Sequence, residues 1–197
     1  MKNDRVLVTG GAGFIGSELV HQLAALGARV TVVDNLVNGR RGNLKGLLGR
    51  NVRLVVEDIR NRKSMARLLK NIDLIYHLAC LGVRHSIHSP VENHQVNALG
   101  TLGLLVEARK NKINRFVYVS SSEVYGNALR VPITETHPTF PLTVYGSSKL
   151  AGDCYTRAFN RTYNYPTVVV RPFNSYGPRS PSEATRGRSS QNSSCGA

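Results

Sequence analysis

The sequence predicts an α/β protein with a doubly wound parallel sheet of the Rossmann type. Six short runs rich in β-branched residues alternate with segments of helical apolar spacing, and the first run leads into a glycine cluster. Strands that alternate with long helices form right-handed βαβ units around a buried parallel sheet. A chain of 197 residues has room for one such domain and its core.

Each predicted element has its own local signal. The strands are runs such as Val-Thr-Val-Val, and Gly27 stops the first helix as a C-terminal cap. The other helices follow from apolar residues at intervals of three and four. The elements are strand 5–8, helix 14–26, strand 28–33, strand 52–56, helix 61–70, strand 74–78, helix 90–110, strand 116–120, helix 143–162 and strand 167–171.

Composition excludes several classes of protein. The net charge is +14, but the basic residues are scattered and no aromatic residues are interleaved with them, so we expect no specific nucleic-acid partner. No apolar run is long enough for a membrane span, and we expect no membrane partner. Three widely spaced cysteines fit neither a disulfide framework nor a metal site. Together with the absence of a signal peptide, these features predict a cytoplasmic protein without a bound metal.

The glycine cluster after the first strand predicts a phosphate-binding loop. Thr9–Gly16 satisfies G-x-G-x-x-G from Gly11 and G-x-x-G-x-x-G from Gly10. Glycines allow the backbone to turn sharply and to approach a pyrophosphate, which then lies on the amides of the following helix. The alternative for such a cluster is a glycine-rich turn without a ligand.

Acidic residues at the ends of the next two strands predict which dinucleotide binds. Asp34 ends the second strand, where a carboxylate accepts hydrogen bonds from a ribose diol and repels a 2′-phosphate. We therefore expect the cofactor to be NAD, although Arg40 and Arg41 lie close enough in sequence to leave NADP open. Asp58 and Ile59 follow the third strand, where we expect them to meet the adenine. Asp58 alone is also a candidate helix N-cap.

A tyrosine and a lysine four residues apart predict a proton-transfer pair. Tyr145 and Lys149 share one face of the last predicted helix. A tyrosine with its ordinary pKa near 10 is a poor base. We expect a fixed lysine cation beside it, with a nicotinamide overhead, to favour the phenolate and bring that pKa toward the working range. The loop Ser120-Ser121-Ser122-Glu123 follows a parallel strand at its carboxyl end, where open α/β sheets bind their ligands. A hydroxyl from this loop is placed to bridge Tyr145 and a substrate oxygen.

These motifs, in this order, resemble the extended short-chain dehydrogenase/reductases, and more narrowly their NAD-dependent nucleotide-sugar epimerases and dehydratases. The resemblance covers residues 4–179 and implies Ser121, Tyr145 and Lys149 as the catalytic trio. Besides the residues already named, it includes His77-Leu78-Ala79, Val124-Tyr125-Gly126 and Arg171–Pro178.

The resemblance also implies the remaining binding residues. Asn97 would help to hold the lysine through a water molecule, and Ser86 and Asn174 would face the substrate, a nucleotide-diphosphate sugar. Full-length relatives are expected to be homodimers. The residues expected to bind the cofactor are Gly10, Gly13, Phe14, Ile15, Gly16, Asp34, Asn35, Asn38, Asp58, Ile59, Leu78, Ala79, Asn97, Tyr145 and Lys149.

Three functions stay open at this point. The first is a UDP-sugar 4-epimerase that acts through a transient 4-keto sugar. The second is a sugar-nucleotide 4,6-dehydratase or a UDP-glucuronate decarboxylase, because Glu123 lies two residues after Ser121, where those enzymes carry a catalytic carboxylate. Glu123 is also explained as a hydrogen-bonded loop residue. The third is a non-catalytic NAD-binding protein of the same fold, which the intact Ser–Tyr–Lys set disfavours.

The histidines and the cysteine near the site have ordinary explanations. We expect His85 and His88 to lie in a loop near the cofactor, without a role as ligands or bases. His77 ends a strand and is expected to pack in the core, and Cys80 is expected to be a small buried residue.

The sequence changes character after Pro178, where apolar residues almost disappear. We expect an NAD-binding Rossmann domain over residues 1–179 and a disordered tail over 180–197. Residues 183–197 can be encoded by codons that, when translated from the third base, give a different peptide. That peptide resembles the segment that follows Gly-Pro-Arg in the family. We therefore expect an out-of-frame tail, a sheet that is incomplete at its C-terminal edge, and an inactive chain. The alternative is a genuine short protein with a basic tail.

Overall fold

A computed structural model of the chain describes residues 1–180. Six parallel strands form one sheet in the order β3-β2-β1-β4-β5-β6, which confirms the doubly wound prediction. The strands are β1 Arg5–Thr9, β2 Arg29–Asp34, β3 Val52–Val56, β4 Leu74–His77, β5 Arg115–Val119 and β6 Thr167–Val170. All six agree with the predicted strands to within one residue at each end.

Residues 1–180 contain six α-helices. They are α1 Phe14–Ala25, α2 Arg62–Leu68, α3 Val83–His88, α4 Pro90–His94, α5 Thr101–Lys110 and α6 Val144–Tyr163. The single helix predicted over 90–110 is divided by a π-helical segment, Gln95–Gly100, between α4 and α5. The expectation of a loop at His85 and His88 is wrong, because both residues lie in α3.

The central strands β1 and β2 are buried on both faces of the sheet, which explains why their sequences are continuous apolar runs. Leu7, Ile75 and Phe116 contribute to one core cluster with residues of α2 and α5. Val6 and Val8 point to the opposite face and pack in a second cluster with residues of α1. Because side chains alternate along a strand, consecutive valines and leucines supply both cores.

The strand order reverses beside β1, which pairs with β2 on one side and β4 on the other. A crevice opens at such a reversal outside the carboxyl ends of the strands, where α/β proteins bind ligands. Within residues 1–180, β6 forms one edge of the sheet and leaves Val168 and Val170 more than two-fifths exposed.

Two further features bear on the sequence expectations. No helix among the described residues is long and apolar enough to cross a membrane. The part of the predicted tail over 181–197 lies outside the described residues.

Candidate active site

A cavity of about 540 Å³ lies in the crevice at the carboxyl ends of the strands. All but two of the residues predicted for cofactor, catalysis or substrate line it. They are Gly10, Gly13, Phe14, Ile15, Gly16, Asp34, Asn35, Asn38, Asp58, Ile59, Leu78, Ala79, Ser121, Glu123, Tyr145, Lys149 and Asn174. The two exceptions are Asn97 and Ser86.

The glycine loop forms a cradle that larger residues would fill. Gly10 has φ +69°, and a Cβ there would lie 2.7 Å from the Ala79 amide nitrogen. A Cβ on Gly16 would lie 2.2 Å from the carbonyl oxygen of Gly10. The loop therefore requires glycine at both positions, and it leads directly into α1, whose first residues line the cavity as expected of an anion site at a helix N-terminus.

Asp34 presents a buried carboxylate at the end of β2. Its oxygens accept hydrogen bonds from the Ala12 amide at 2.9 Å and the Leu36 amide at 2.9 Å. Gly39 lies against the same carboxylate, where a Cβ would approach within 2.6 Å of its oxygen. The side chain is thus held in one orientation beside the cavity. Arg40 and Arg41 are not among the residues that line this cavity.

Asp58 and Ile59 follow β3 and line the part of the cavity beside that strand. Both oxygens of Asp58 accept hydrogen bonds from Arg60, and this pairing holds the pKa of Asp58 below its usual value. The N-cap of α2 is Asn61, which accepts from Ser64, so Asp58 is not the helix cap.

A chain of hydrogen bonds behind the cavity positions the loop after β4. The Ala79 amide donates to the Thr9 hydroxyl oxygen, and Thr9 lies 2.6 Å from Nδ1 of His77. On the other side, Nε2 of His77 lies 2.9 Å from the Thr101 hydroxyl, which donates to the Asn97 carbonyl. Because the Thr101 proton is committed to Asn97, Thr101 accepts from Nε2–H, and Thr9 donates to Nδ1.

His77 is confirmed as a core residue and is completely buried. Burial, with a smaller contribution from the positive charge of Lys149, lowers the pKa of His77 to about 3. The imidazole therefore stays neutral at working pH and keeps the tautomer that this hydrogen-bond chain needs.

Helix α6 carries Tyr145 and Lys149 to the cavity wall opposite the glycine loop. Thr143 caps this helix by accepting a hydrogen bond from the Gly146 amide at 2.9 Å. The Lys149 ammonium donates to the Val119 carbonyl at 2.6 Å and lies 4.5 Å from the ring centre of Tyr118. These contacts anchor the lysine between α6 and the end of β5.

The phenol of Tyr145 is neutral at pH 7 in this structure. Burial is the main cause that raises its pKa to about 12, while Lys149 and hydrogen bonding with Ser121 act in the opposite direction. Lys149 thus acts in the direction expected from the sequence, but burial outweighs it, because removal of the phenolate from water costs more than the ammonium restores. The expected pKa in the working range also depends on a nicotinamide above the phenol and stays a prediction.

The loop after β5 presents Ser121 and Glu123 to the same space. The Ser121 hydroxyl oxygen accepts from the Glu123 amide at 3.2 Å, which orients the hydroxyl. The Glu123 carboxylate accepts from the Thr143 hydroxyl at 3.2 Å and so lies beside the N-terminus of α6. A helix N-terminus favours a negative charge at that position.

The two predicted residues outside the cavity wall make contacts within the protein. Asn97 is buried in the π-helical segment, accepts from the Leu81 amide at 2.8 Å and donates to Ser148 at 3.0 Å. It thus joins the cavity-lining residue Leu81 to the neighbour of Lys149. Ser86 is also buried and donates to the Val83 carbonyl at 2.7 Å.

Arg171 connects the chain after β6 to α6. Its guanidinium bonds Asp153 at 2.7 Å, and Asp153 is completely buried. The same guanidinium donates to the Tyr125 hydroxyl at 3.1 Å. This pairing sets the direction of the segment that follows, in which Phe173 and Asn174 line the cavity.

The structure adds cavity residues that sequence reasoning missed. Cys80, expected to be buried, is only partly so and lines the cavity, where it contributes to the raised pKa of Tyr145. Ser120 also lines it, and its buried hydroxyl has no hydrogen-bond partner among the described residues. No local sequence signal marks Cys80 or Ser120 as cavity residues. Their positions depend on how the segments after β4 and β5 pack against α6.

A glycine cradle, a buried acid at the end of β2 and a Ser–Tyr–Lys set around one crevice are typical of an extended short-chain dehydrogenase/reductase. Residues 7–189 match the family model described as GDP-mannose 4,6 dehydratase. The chain belongs to this family of NAD-dependent nucleotide-sugar epimerases and dehydratases.

Individual relatives carry several different activities. The chain is 37% identical over 177 residues to a putative UDP-glucose 4-epimerase of Methanocaldococcus jannaschii, covering 88% of this chain and 57% of the relative. It is 37% identical over 182 residues to UDP-glucuronic acid decarboxylase 4 of Arabidopsis thaliana, covering 89% of this chain and 40% of that protein.

Solved structures show the same relation. The dTDP-glucose 4,6-dehydratase from Streptomyces venezuelae, solved with NAD and TYD bound, matches with a TM-score of 0.85 and 38% identity. The match covers 89% of this chain and 57% of the other. The chain therefore spans between 40% and 57% of the length of these relatives.

Proposed function

We propose that this chain supplies the NAD site and the proton-transfer groups of a nucleotide-sugar epimerase, with UDP-sugar 4-epimerisation as its reaction. The observation that carries the proposal is that Ser121, Tyr145 and Lys149 line the same cavity as the glycine cradle. Because the chain spans about 57% of its epimerase relative, the activity belongs to a protein that also has the relative's remaining sequence.

The cavity fits NAD on chemical grounds. The glycine cradle admits a pyrophosphate where any Cβ on Gly16 would collide with backbone, and Asp34 offers acceptors to a ribose diol. Lys149 would face the nicotinamide ribose, and Asp58 and Ile59 the adenine. NAD, when bound, accepts and returns a hydride at C4 of the sugar.

The protein's own groups manage the proton and the position of the sugar. In its phenolate form Tyr145 takes the proton of the sugar 4-hydroxyl and becomes the phenol, which later returns that proton, while Ser121 bridges the sugar oxygen and Tyr145. Lys149, fixed by Val119, stabilises the phenolate before it takes the proton. Asn174 and Ser86 are proposed to face the nucleotide sugar.

The proposal is tested in two forms of the protein. The 197-residue chain is titrated with NAD by calorimetry. A chimera that joins residues 1–179 to the C-terminal part of the M. jannaschii relative is then incubated with UDP-glucose or UDP-galactose. We expect NAD binding in the first and interconversion of the two sugars in the second. A folded chimera that binds NAD but reacts with neither sugar contradicts the epimerase proposal.

Replacing Asp34 with Ala should weaken NAD binding by about 10- to 100-fold, because hydrogen bonds to a charged group contribute about 1.5–3 kcal/mol. Calorimetry measures the Kd. The control is Asp4→Ala, a partly exposed aspartate next to the end of β1 that lies away from the cavity, and its loss should leave the Kd unchanged. An unchanged Kd for Asp34→Ala removes Asp34 from the ribose, provided that thermal unfolding shows a folded variant.

A second candidate function is a dehydratase or decarboxylase, which the position of Glu123 in the cavity favours. For an epimerase we expect Glu123→Gln to retain turnover within a few-fold, since proton transfer by Tyr145 does not need this carboxylate. The measurement is epimer formation by the chimera, with Glu135→Gln as the control on the neighbouring loop. Accumulation of reduced cofactor near 340 nm without released epimer would favour the second candidate.

We further propose that the full-length protein is a homodimer. Val91, Leu99 and Val106 leave apolar side chains exposed along the segment from α4 to α5. Intervals of eight and seven residues place them along one side of a helix, which is an arrangement suited to helix packing between two copies.

A further inference from the structure

A second cavity, of about 630 Å³, lies at the amino ends of β1, β2 and β3. It opens at the end of the sheet opposite the candidate active site, and the two cavities share no lining residue. We call it the basic groove. Its cationic lining residues are Arg5, Arg29, Arg41, Arg50, Arg53 and Lys70, and no aspartate or glutamate of residues 1–180 lines it.

Most of this positive charge has no carboxylate partner. Arg5 pairs with Asp73 at 2.7 Å, and Nε of Arg53 donates to the Thr31 hydroxyl at 2.9 Å. The remaining four cations make no ion pair with any described residue. Their side chains are exposed, so their charge faces whatever enters the groove.

The strand register adds a second observation. Arg5 on β1 is directly opposite Arg29 on β2, and neighbouring strands are about 4.8 Å apart. Asp73 offsets the charge of Arg5, whereas Arg29 beside it makes no ion pair with any described residue. The register therefore places an uncompensated guanidinium at the mouth of the groove next to a second arginine, where an anion can accept from it.

The residue types indicate the chemistry of the ligand. Five of the six cations are arginines, whose planar fork binds two phosphate oxygens at once. No aromatic side chain of the described residues lines the groove, so nothing there stacks on a base. We propose that the basic groove binds a small phosphate-rich anion through its phosphate groups, either an inorganic polyphosphate or the phosphate chain of a nucleotide.

Calorimetric titration with inorganic tripolyphosphate tests the proposal on the 197-residue chain. Low ionic strength preserves the attraction between exposed charges, and saturating NAD keeps the glycine cradle from taking the anion. ATP and adenosine are titrated in parallel. We expect tripolyphosphate and ATP to bind with similar Kd values and adenosine not to bind. Binding of adenosine, or no binding of tripolyphosphate, overturns the proposal.

A pair of double variants separates a site from a general effect of charge. Arg29→Gln with Arg50→Gln should weaken tripolyphosphate binding at least tenfold. Arg130→Gln with Arg161→Gln removes the same charge from exposed positions outside the groove and should change the Kd less than twofold. Equal weakening in both double variants shows attraction by net charge alone and contradicts the proposal. Circular dichroism confirms that each variant is folded.

Discussion

Replacing Tyr145 with Phe is expected to lower the turnover of a nucleotide sugar by about 10²- to 10⁴-fold, the usual loss when a general acid–base group is removed. The phenol lines the cavity with Lys149 and Ser121, and phenylalanine keeps the ring but not the proton. The assay is epimer formation by the chimera described above. NAD affinity should stay unchanged, because the glycine cradle and Asp34 are the groups proposed to hold the cofactor.

The pH profile provides a second measurement for this prediction. With a pKa raised to about 12, the fraction of phenolate rises with pH throughout the neutral and mildly alkaline range. The rate of the unsubstituted enzyme should therefore increase with pH, and Tyr145→Phe should lose that dependence. Tyr155→Phe on the same helix is the control and should retain both rate and profile, since Tyr155 packs on the core. Turnover of Tyr145→Phe near the unsubstituted rate would refute the role of Tyr145.

The largest loss of stability is expected for Asp153→Ala. Its carboxylate is completely buried and accepts hydrogen bonds from Arg157 at 2.6 Å and Arg171 at 2.7 Å. Removing one partner of a buried pair leaves an uncompensated charge, which costs about 3–5 kcal/mol in the free energy of unfolding. Urea denaturation of the 197-residue chain measures this change.

Asp73→Ala is the matched control for Asp153→Ala. Asp73 makes a pair of similar geometry with Arg5, at 2.7 Å, but both side chains are partly exposed. Exposed pairs contribute about 0–1 kcal/mol, so the control should lose much less stability. Equal losses in the free energy of unfolding of the two variants would show that the buried pair at α6 stabilises the fold no more than the exposed pair.

The sheet could be predicted well because its signals are local. Runs of valine and leucine flanked by glycine or polar residues marked every strand to within one residue. The helical region after β4 was harder to predict. The π-helical turn at Gln95–Gly100 contains an extra residue compared with an α-helical turn, and the apolar spacing does not indicate it. Its place depends on packing, because a Cβ on Gly100 would approach Ile59 within 2.9 Å.

The candidate site shows the same division. Asp34 and the glycine loop were predictable because one strand-turn-helix unit places them, and Tyr145 and Lys149 because one helix does. Asn97 belongs to a network that joins Leu81 to Ser148, and that network exists only after three distant segments meet. Cys80 contributes to the raised pKa of Tyr145, and this likewise depends on how the loop after β4 packs near α6.

By itself the sequence determined the order of the strands, the glycine cradle and the chemical types of the proposed catalytic groups, since these follow from periodicity and short-range spacing. The tertiary structure decided the protonation of Tyr145, the partners of Lys149 and the alignment of Arg5 with Arg29. The physical reason is that burial and charge act through space. A pKa depends on how much water the fold removes and which charges it brings near, and neither is written in the neighbouring residues.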